Sequence, residues 1–167
     1  LVIESLHKTL PALTQTAILH YNSEIVDEKR LNNLVDTINT ISPDVIIFGG
    51  DLYDQEAIAN ADANAVLTNA FSAMEAPLGK YAVYGDNDRT SSTRAENFAK
   101  IMLEADFEIL NNNAITLRNK GSQAIYLAGL DNGLNGSTDV SAAYRSVSPE
   151  AYTITICHTP DSALEIP

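Results

Sequence analysis

Asp51, the Asp86-Asn87-Asp88 run and His158 are the residues whose types and surroundings allow chemistry, because each follows a short apolar segment that stops abruptly. Asp44-Val45-Ile46-Ile47-Phe48 leads into Gly49-Gly50-Asp51, Lys80-Tyr81-Ala82-Val83-Tyr84 into Gly85-Asp86-Asn87-Asp88, and Tyr152 to Cys157 into His158-Thr159-Pro160-Asp161. Continuous β-branched and aromatic runs of this length read as buried strands. The paired glycines let the backbone turn sharply and leave Asp51 room to reach a ligand. In open α/β sheets the carboxyl ends of strands are where sites form. Two carboxylate loops and one imidazole make a mixed oxygen and nitrogen set, which suits Mn, Fe or Zn better than Ca or Mg alone. A strand followed by glycine and Asp is also common turn punctuation, so the weight lies in the recurrence rather than in any one segment.

Helices must deliver these strands in parallel. Between Glu24 and Ile41 apolar residues recur at Ile25, Leu31, Leu34, Val35, Ile38 and Ile41, one helical face, and Pro43 bars continuation into the next strand. A second helix is expected from about Glu56 to Met74, closed by Pro77 and Gly79, and a third after a Thr93/Glu96 capping box. Thr16 to His20 reads as the first central strand. After the third helix the pattern changes. Phe107 to Leu110, Ala114 to Leu117 and Ala124 to Leu130 read as a meander or hairpins of a second sheet, followed by a short helix near Val140 to Arg145.

A chain of 167 residues suits one domain with a sizeable core, and no internal boundary, repeat or low-complexity tract is evident. Ten Lys and Arg against 22 acids, a formal net charge of -12, argue against nucleic-acid backbone binding and imply that an anionic substrate needs cations. No apolar run is long enough to span a membrane. The single Cys157 excludes an internal disulfide and reads as a buried structural thiol within the last strand. His20 reads as a strand-end residue and His7 as a surface one. Asp54, Asp131 and Asp161 read as loop and turn formers, and Tyr53, Tyr81 and Tyr84 as packing residues.

In order along the chain, Pro-Asp-Val-Ile-Ile-Phe-Gly-Gly-Asp, Tyr-Ala-Val-Tyr-Gly-Asp-Asn-Asp and Ile-Cys-His-Thr-Pro-Asp closely resemble the calcineurin-like metallophosphoesterase family. Leu110-Asn111-Asn112 and Leu127-Ala128-Gly129-Leu130-Asp131 are similar to its lipid-pyrophosphatase-like and small phosphodiesterase subgroup. The resemblance implies an α/β fold in four α/β/β/α layers, two mixed sheets flanked by helices. Residues 1–167 would form one such phosphoesterase domain, incomplete at its C-terminus. It implies two divalent metal ions, Mn, Fe or Zn, and hydrolysis of a phosphodiester, phosphomonoester or pyrophosphate by metal-bound hydroxide. The substrate would be a phosphorylated small molecule or lipid, with membrane association through segments not present here. By position, Asp51 would bridge the metals, Asp86 would be the ligand where the family has Asn, and His158 would be the imidazole of the second metal.

Asn87 and Asp88 take the catalytic positions, where the family has a leaving-group histidine and the carboxylate that orients it. Asn cannot donate a proton, and losing a general acid costs about 10²- to 10⁴-fold. The alternative is therefore a catalytically impaired paralogue acting as a metal or ligand binding module. A flavodoxin-like nucleotide binder is disfavoured because no strand-to-helix turn carries a Gly-rich phosphate cradle. No Asp-x-His follows His20 and no Gly-His-x-His precedes Pro167. The expectation is that a ligand loop belongs between His20 and Tyr21 in chain that this sequence omits, so that their Cα atoms lie well beyond the roughly 3.8 Å of a continuous peptide.

Overall fold

The first helix shows how the apolar periodicity becomes packing. In the computed structural model it runs over Glu28–Ile41 (α1) and buries Leu31 and Val35, four residues apart on one face. The structure describes residues 2–5, 17–20, 28–54, 61–117 and 124–166. The expected start of this helix, and that of the next, lie outside them. Its other helices are Ala61–Ser72 (α2), Ser92–Glu104 (α3) and Val140–Ala143 (α4). The strands are Val2–Ser5 (β1), Ala17–His20 (β2), Ile46–Phe48 (β3), Lys80–Ala82 (β4), Phe107–Ile109 (β5), Asn113–Leu117 (β6), Ile125–Gly129 (β7) and Tyr152–Ile156 (β8). No described helix is long and apolar enough to cross a membrane.

The architecture is α/β. Strands β3, β4 and β5 form a parallel sheet in that order, with α2 and α3 as the crossovers that parallel pairing requires. A second sheet orders β6, β7 and β8, the first pair antiparallel and the second parallel. Strand alternation divides the first sheet between a helix-side face and an opposite face on which Tyr81 is buried but Ile47 is 44% exposed. Ile46, Phe48, Ala82 and Phe107 pack against Phe71, Phe98 and Met102 of α2 and α3, whereas Tyr81 meets Leu127 and Ile156 of the second sheet. Phe48 lies 5.8 Å from the Phe71 ring and 6.0 Å from that of Phe98, tilted pairs that add specific geometry to apolar burial. On β8, Thr155 alternates with the core residue Ile156, and its hydroxyl bonds that of Tyr144, just beyond α4.

Four local expectations change. Phe107–Ile109 does not join the second sheet: α3 returns the chain beside β4, and Phe107 enters the helix-side core against Phe71 at 6.1 Å. Thr16 to His20 is not a central strand. Ala17–His20 pairs antiparallel with Val2–Ser5 over four residue pairs, in a two-stranded ladder apart from the two larger sheets. The third helix is capped by Ser91, whose hydroxyl accepts from the Arg94 N–H at 3.2 Å, so Thr93 and Glu96 lie inside it. Cys157 stands just past β8 and is half-buried, with its thiol pushed up by that burial.

Tyr53 is 2% exposed and donates its hydroxyl to Asn64 Oδ1 at 3.2 Å. Burial, with a smaller push from Asp88, raises it to about 12. The folded chain then holds this proton in a range where the unfolded chain, with an ordinary value near 10, has lost it. The contribution is complete below pH 10 and disappears as pH rises through 12, and is worth up to about 3 kcal/mol. Urea denaturation at pH 9 and pH 11.5 should show wild type losing more stability than Tyr53→Phe; parallel losses would refute the assignment.

Candidate metal centre

Three strand ends meet at the carboxyl edge of the sheets, and the meeting depends on how closely two of their backbones approach. Gly50 has φ +92, and a Cβ there would lie 2.4 Å from Gly85 N; a Cβ on Gly85 would lie 2.2 Å from Asp51 Oδ1. Both positions therefore exclude any side chain. Asp51 follows in the left-handed region at φ 59, a conformation that Asp tolerates better than most residues. The Asp88 carboxylate holds the contact together: Oδ2 accepts from the N–H groups of Asp51 and Gly85, both at 2.8 Å, and Oδ1 from that of Leu52 at 2.9 Å. Asp88 is wholly buried. Burial pushes its carboxyl up from the ordinary value, and the three backbone donors oppose that push. The resemblance casts Asp88 as the carboxylate that orients residue 87, but its oxygens are engaged by the backbones of two loops.

Residue 87 turns the other way. Asn87 donates its backbone N–H to Asp51 Oδ1 at 2.9 Å and its side-chain amide to Oδ2 at 3.0 Å, so it grips both oxygens of the carboxylate expected to bridge metals. His158 comes in from β8. Its Nδ1 lies 2.7 Å from the Gly49 carbonyl oxygen, which can only accept, so Nδ1 carries a proton and, in the neutral ring, Nε2 offers its lone pair. That Nε2 lies 3.6 Å from Asp51 Oδ2. Asp86 is held separately: its Oδ1 accepts from Asn132 Nδ2 at 2.5 Å, and its carbonyl from Asn135 Nδ2 at 3.1 Å. Beside it Arg89 grips Asp131 Oδ1 through Nε at 3.1 Å and Nη2 at 2.7 Å, with its guanidinium 3.9 Å over the Tyr84 ring. Asp131 also accepts from the N–H groups of Asn132 and Ser137, which makes it a loop former as well as an ion-pair partner.

The structure thus brings Asp51 and His158 together, places Asn87 and Asp88 around Asp51, and ties Asp86 to a neighbouring loop. Among the described residues no three His, Cys, Asp or Glu side chains gather into a metal-ligand set. The side chain of His20, His7 and the His20–Tyr21 junction lie outside those residues. The donor chemistry at Asp51 and His158 nevertheless fits a divalent cation. An oxygen of the Asp51 carboxylate and the Nε2 atom of His158 stand 3.6 Å apart, and metal–ligand bonds of about 2.1 Å can span that separation. The Nδ1–H bond to a backbone carbonyl is the usual outer support of a metal-ligating histidine. Asn132 and Arg89 were not singled out in the sequence. Asn132 follows β7 as Asp51 and Asp86 follow β3 and β4, so the strand-end position was a signal, but an amide does not announce itself as site chemistry.

Removing Asp88 should leave buried backbone N–H groups of both loops without their acceptor. Asp88→Ala should cost about 3–5 kcal/mol in urea denaturation and Asp88→Asn less, since the amide keeps one acceptor oxygen. A loss under 1 kcal/mol for the alanine variant would remove Asp88 as the clamp.

Comparison with known proteins adds two relatives. The chain is 28% identical over 138 residues to the uncharacterized metallophosphoesterase YkuE of Bacillus subtilis, covering 81% of this chain and 46% of that protein. It is 27% identical over 150 residues to a transmembrane protein with metallophosphoesterase domain of Bos taurus, covering 83% of this chain and 33% of that protein. No family model matches. The chain therefore spans less than half the length of the curated relatives it matches. Four-fifths of the chain is thus similar to two proteins whose names carry the word metallophosphoesterase, which supports the family resemblance.

Proposed function

We propose that the chain carries the catalytic core of a metal-dependent phosphohydrolase, acting on a phosphodiester, phosphomonoester or pyrophosphate. The observation that carries this is the unbridged pair of lone-pair donors, Asp51 Oδ2 and His158 Nε2, 3.6 Å apart at the strand ends. Asp51 and His158 would hold one cation, and Asp86 would contribute to a second; Mn, Fe or Zn suits carboxylate with imidazole. When bound, such cations neutralise phosphoryl oxygens and lower the pKa of water, which a protein with formal net charge -12 needs before an anion can approach. The chain's own part is to hold its donors in place. Asp88 fixes the backbone of Asp51, Gly49 fixes the ring of His158, and Asn87 orients the Asp51 carboxylate. None of these residues can pass a proton to a departing alkoxide, so substrates with good leaving groups are favoured. The proposed substrate is a phosphorylated small molecule or lipid, and membrane association would come from segments outside this chain; the Bos taurus relative is itself named as a transmembrane protein.

A second reading, a binding module that retains metal but not turnover, is favoured by one observation: Asn87 engages both Asp51 oxygens where proton transfer would be needed. The two readings separate on bis-p-nitrophenyl phosphate with Mn²⁺. Wild type should turn it over and Asp51→Asn should lose at least 100-fold; no metal-stimulated turnover in an intact preparation would falsify the hydrolase. Asn87→His should raise the rate on a poorly leaving alkyl phosphodiester by about 10²-fold while changing the nitrophenyl ester little. Mn²⁺ binding without turnover in either form would establish the binding module.

A further inference from the structure

We propose that Asn132 is a positioning residue for Asp86, one that settles which carboxylate oxygen Asp86 offers to a cation. This rests on the metal reading above. Asn132 is fully buried, and its amide cannot rotate: Oδ1 accepts from the N–H groups of Leu134 at 3.0 Å and Asn135 at 2.7 Å, which commits Nδ2 to donating. The Nδ2 group meets Asp86 Oδ1 at 2.5 Å and reaches Thr159 Oγ1 at 3.4 Å. Thr159 Oγ1 in turn accepts from the N–H of Gly133 at 3.3 Å and belongs to the residue directly after His158. One buried amide therefore ties together the loops after β4, β7 and β8, two of which carry proposed ligands.

The consequence for Asp86 is directional. With Oδ1 taken by Asn132, Oδ2 is the oxygen that no described residue engages. The amide is also neutral, so it orders the carboxylate without cancelling the charge that attracts a cation; a Lys or Arg in its place would do both. Hydrogen-bonded support of this kind commonly carries 10- to 100-fold of metal affinity.

The test measures binding, not only turnover. Mn²⁺ titrated into the full chain should bind wild type and bind Asp51→Asn far more weakly. Asn132→Asp is nearly isosteric but sets a carboxylate against Asp86, and should weaken Mn²⁺ by at least about tenfold. In an Asp86→Asn background the same substitution should cost little more, because its effect runs through Asp86. Since a buried replacement can unfold the chain, a wild-type measurement stands beside it: titration with Zn²⁺ should shift the Asn132 side-chain amide resonances in a ¹⁵N spectrum. Wild type that binds Mn²⁺ while Asn132→Asp binds equally well, or amide resonances unmoved at saturating Zn²⁺, overturns the positioning role and leaves the metal reading intact. Wild type that binds neither ion overturns both.

Discussion

The contact between the Gly50 and Gly85 backbones, closed by the buried Asp88 carboxylate, is the constraint on which the site depends. Two strand-end loops each deliver a carboxylate, and such loops would stay apart if like charge alone decided their separation. A buried carboxylate without partners costs several kcal/mol, so Asp88 can occupy its position only because three backbone N–H groups converge on it. Those N–H groups converge only because neither glycine has a side chain to hold the loops open. Each half of the arrangement requires the other. The left-handed backbone of Asp51, which would otherwise be a local strain, becomes part of a hydrogen-bonded structure formed before any ion arrives.

The same economy governs charge. Four carboxylates, Asp51, Asp86, Asp88 and Asp131, stand near one another on a strongly acidic chain, and each is satisfied differently. Asp88 takes backbone donors, Asp51 takes Asn87, Asp86 takes Asn132, and Asp131, a loop former, takes an arginine. Neutral amides order the ligand carboxylates while leaving their field intact, whereas Arg89 neutralises a carboxylate whose work is to shape a loop. The two carboxylates proposed to meet a cation thus take amides, whereas Asp88 and Asp131, which hold loops together, take backbone donors and an arginine.

Strand ends were legible in the sequence because the signal is local: an apolar run, a glycine, then a side chain that can act. Asp51 and Asp86 follow that grammar in full and His158 follows it without the glycine, and the structure sets all three just past the corresponding strands. Sheet membership was not legible. A three-residue strand such as Phe107–Ile109 carries too few residues to show which sheet it will join, and that choice was made by α3 returning it beside β4 and by Phe107 filling space under Phe71. The Ser91 cap and the β1 pairing of Ala17–His20 were lost for related reasons: one turned on a two-residue boundary, the other on a partner four residues long. Asn132 was invisible because its role is defined by what it touches from 46 residues away.

Asn87 shows how one substitution redistributes the work of a site. An imidazole at this position would have a proton to give and a reason to face the substrate. The amide has neither, and instead closes on Asp51 with two donors. Those hydrogen bonds fix the direction in which the carboxylate's remaining lone pairs point while leaving its charge in place. In the proposed hydrolase this position would give order to the carboxylate rather than a proton to the leaving group. Such a hydrolase would rely on cation electrostatics and on a leaving group that departs without help. On an acidic chain whose donors are already arranged, an ion would have little reorganisation left to drive, so under the proposed function selectivity would fall to the phosphoryl compound itself and the acidity of its leaving group.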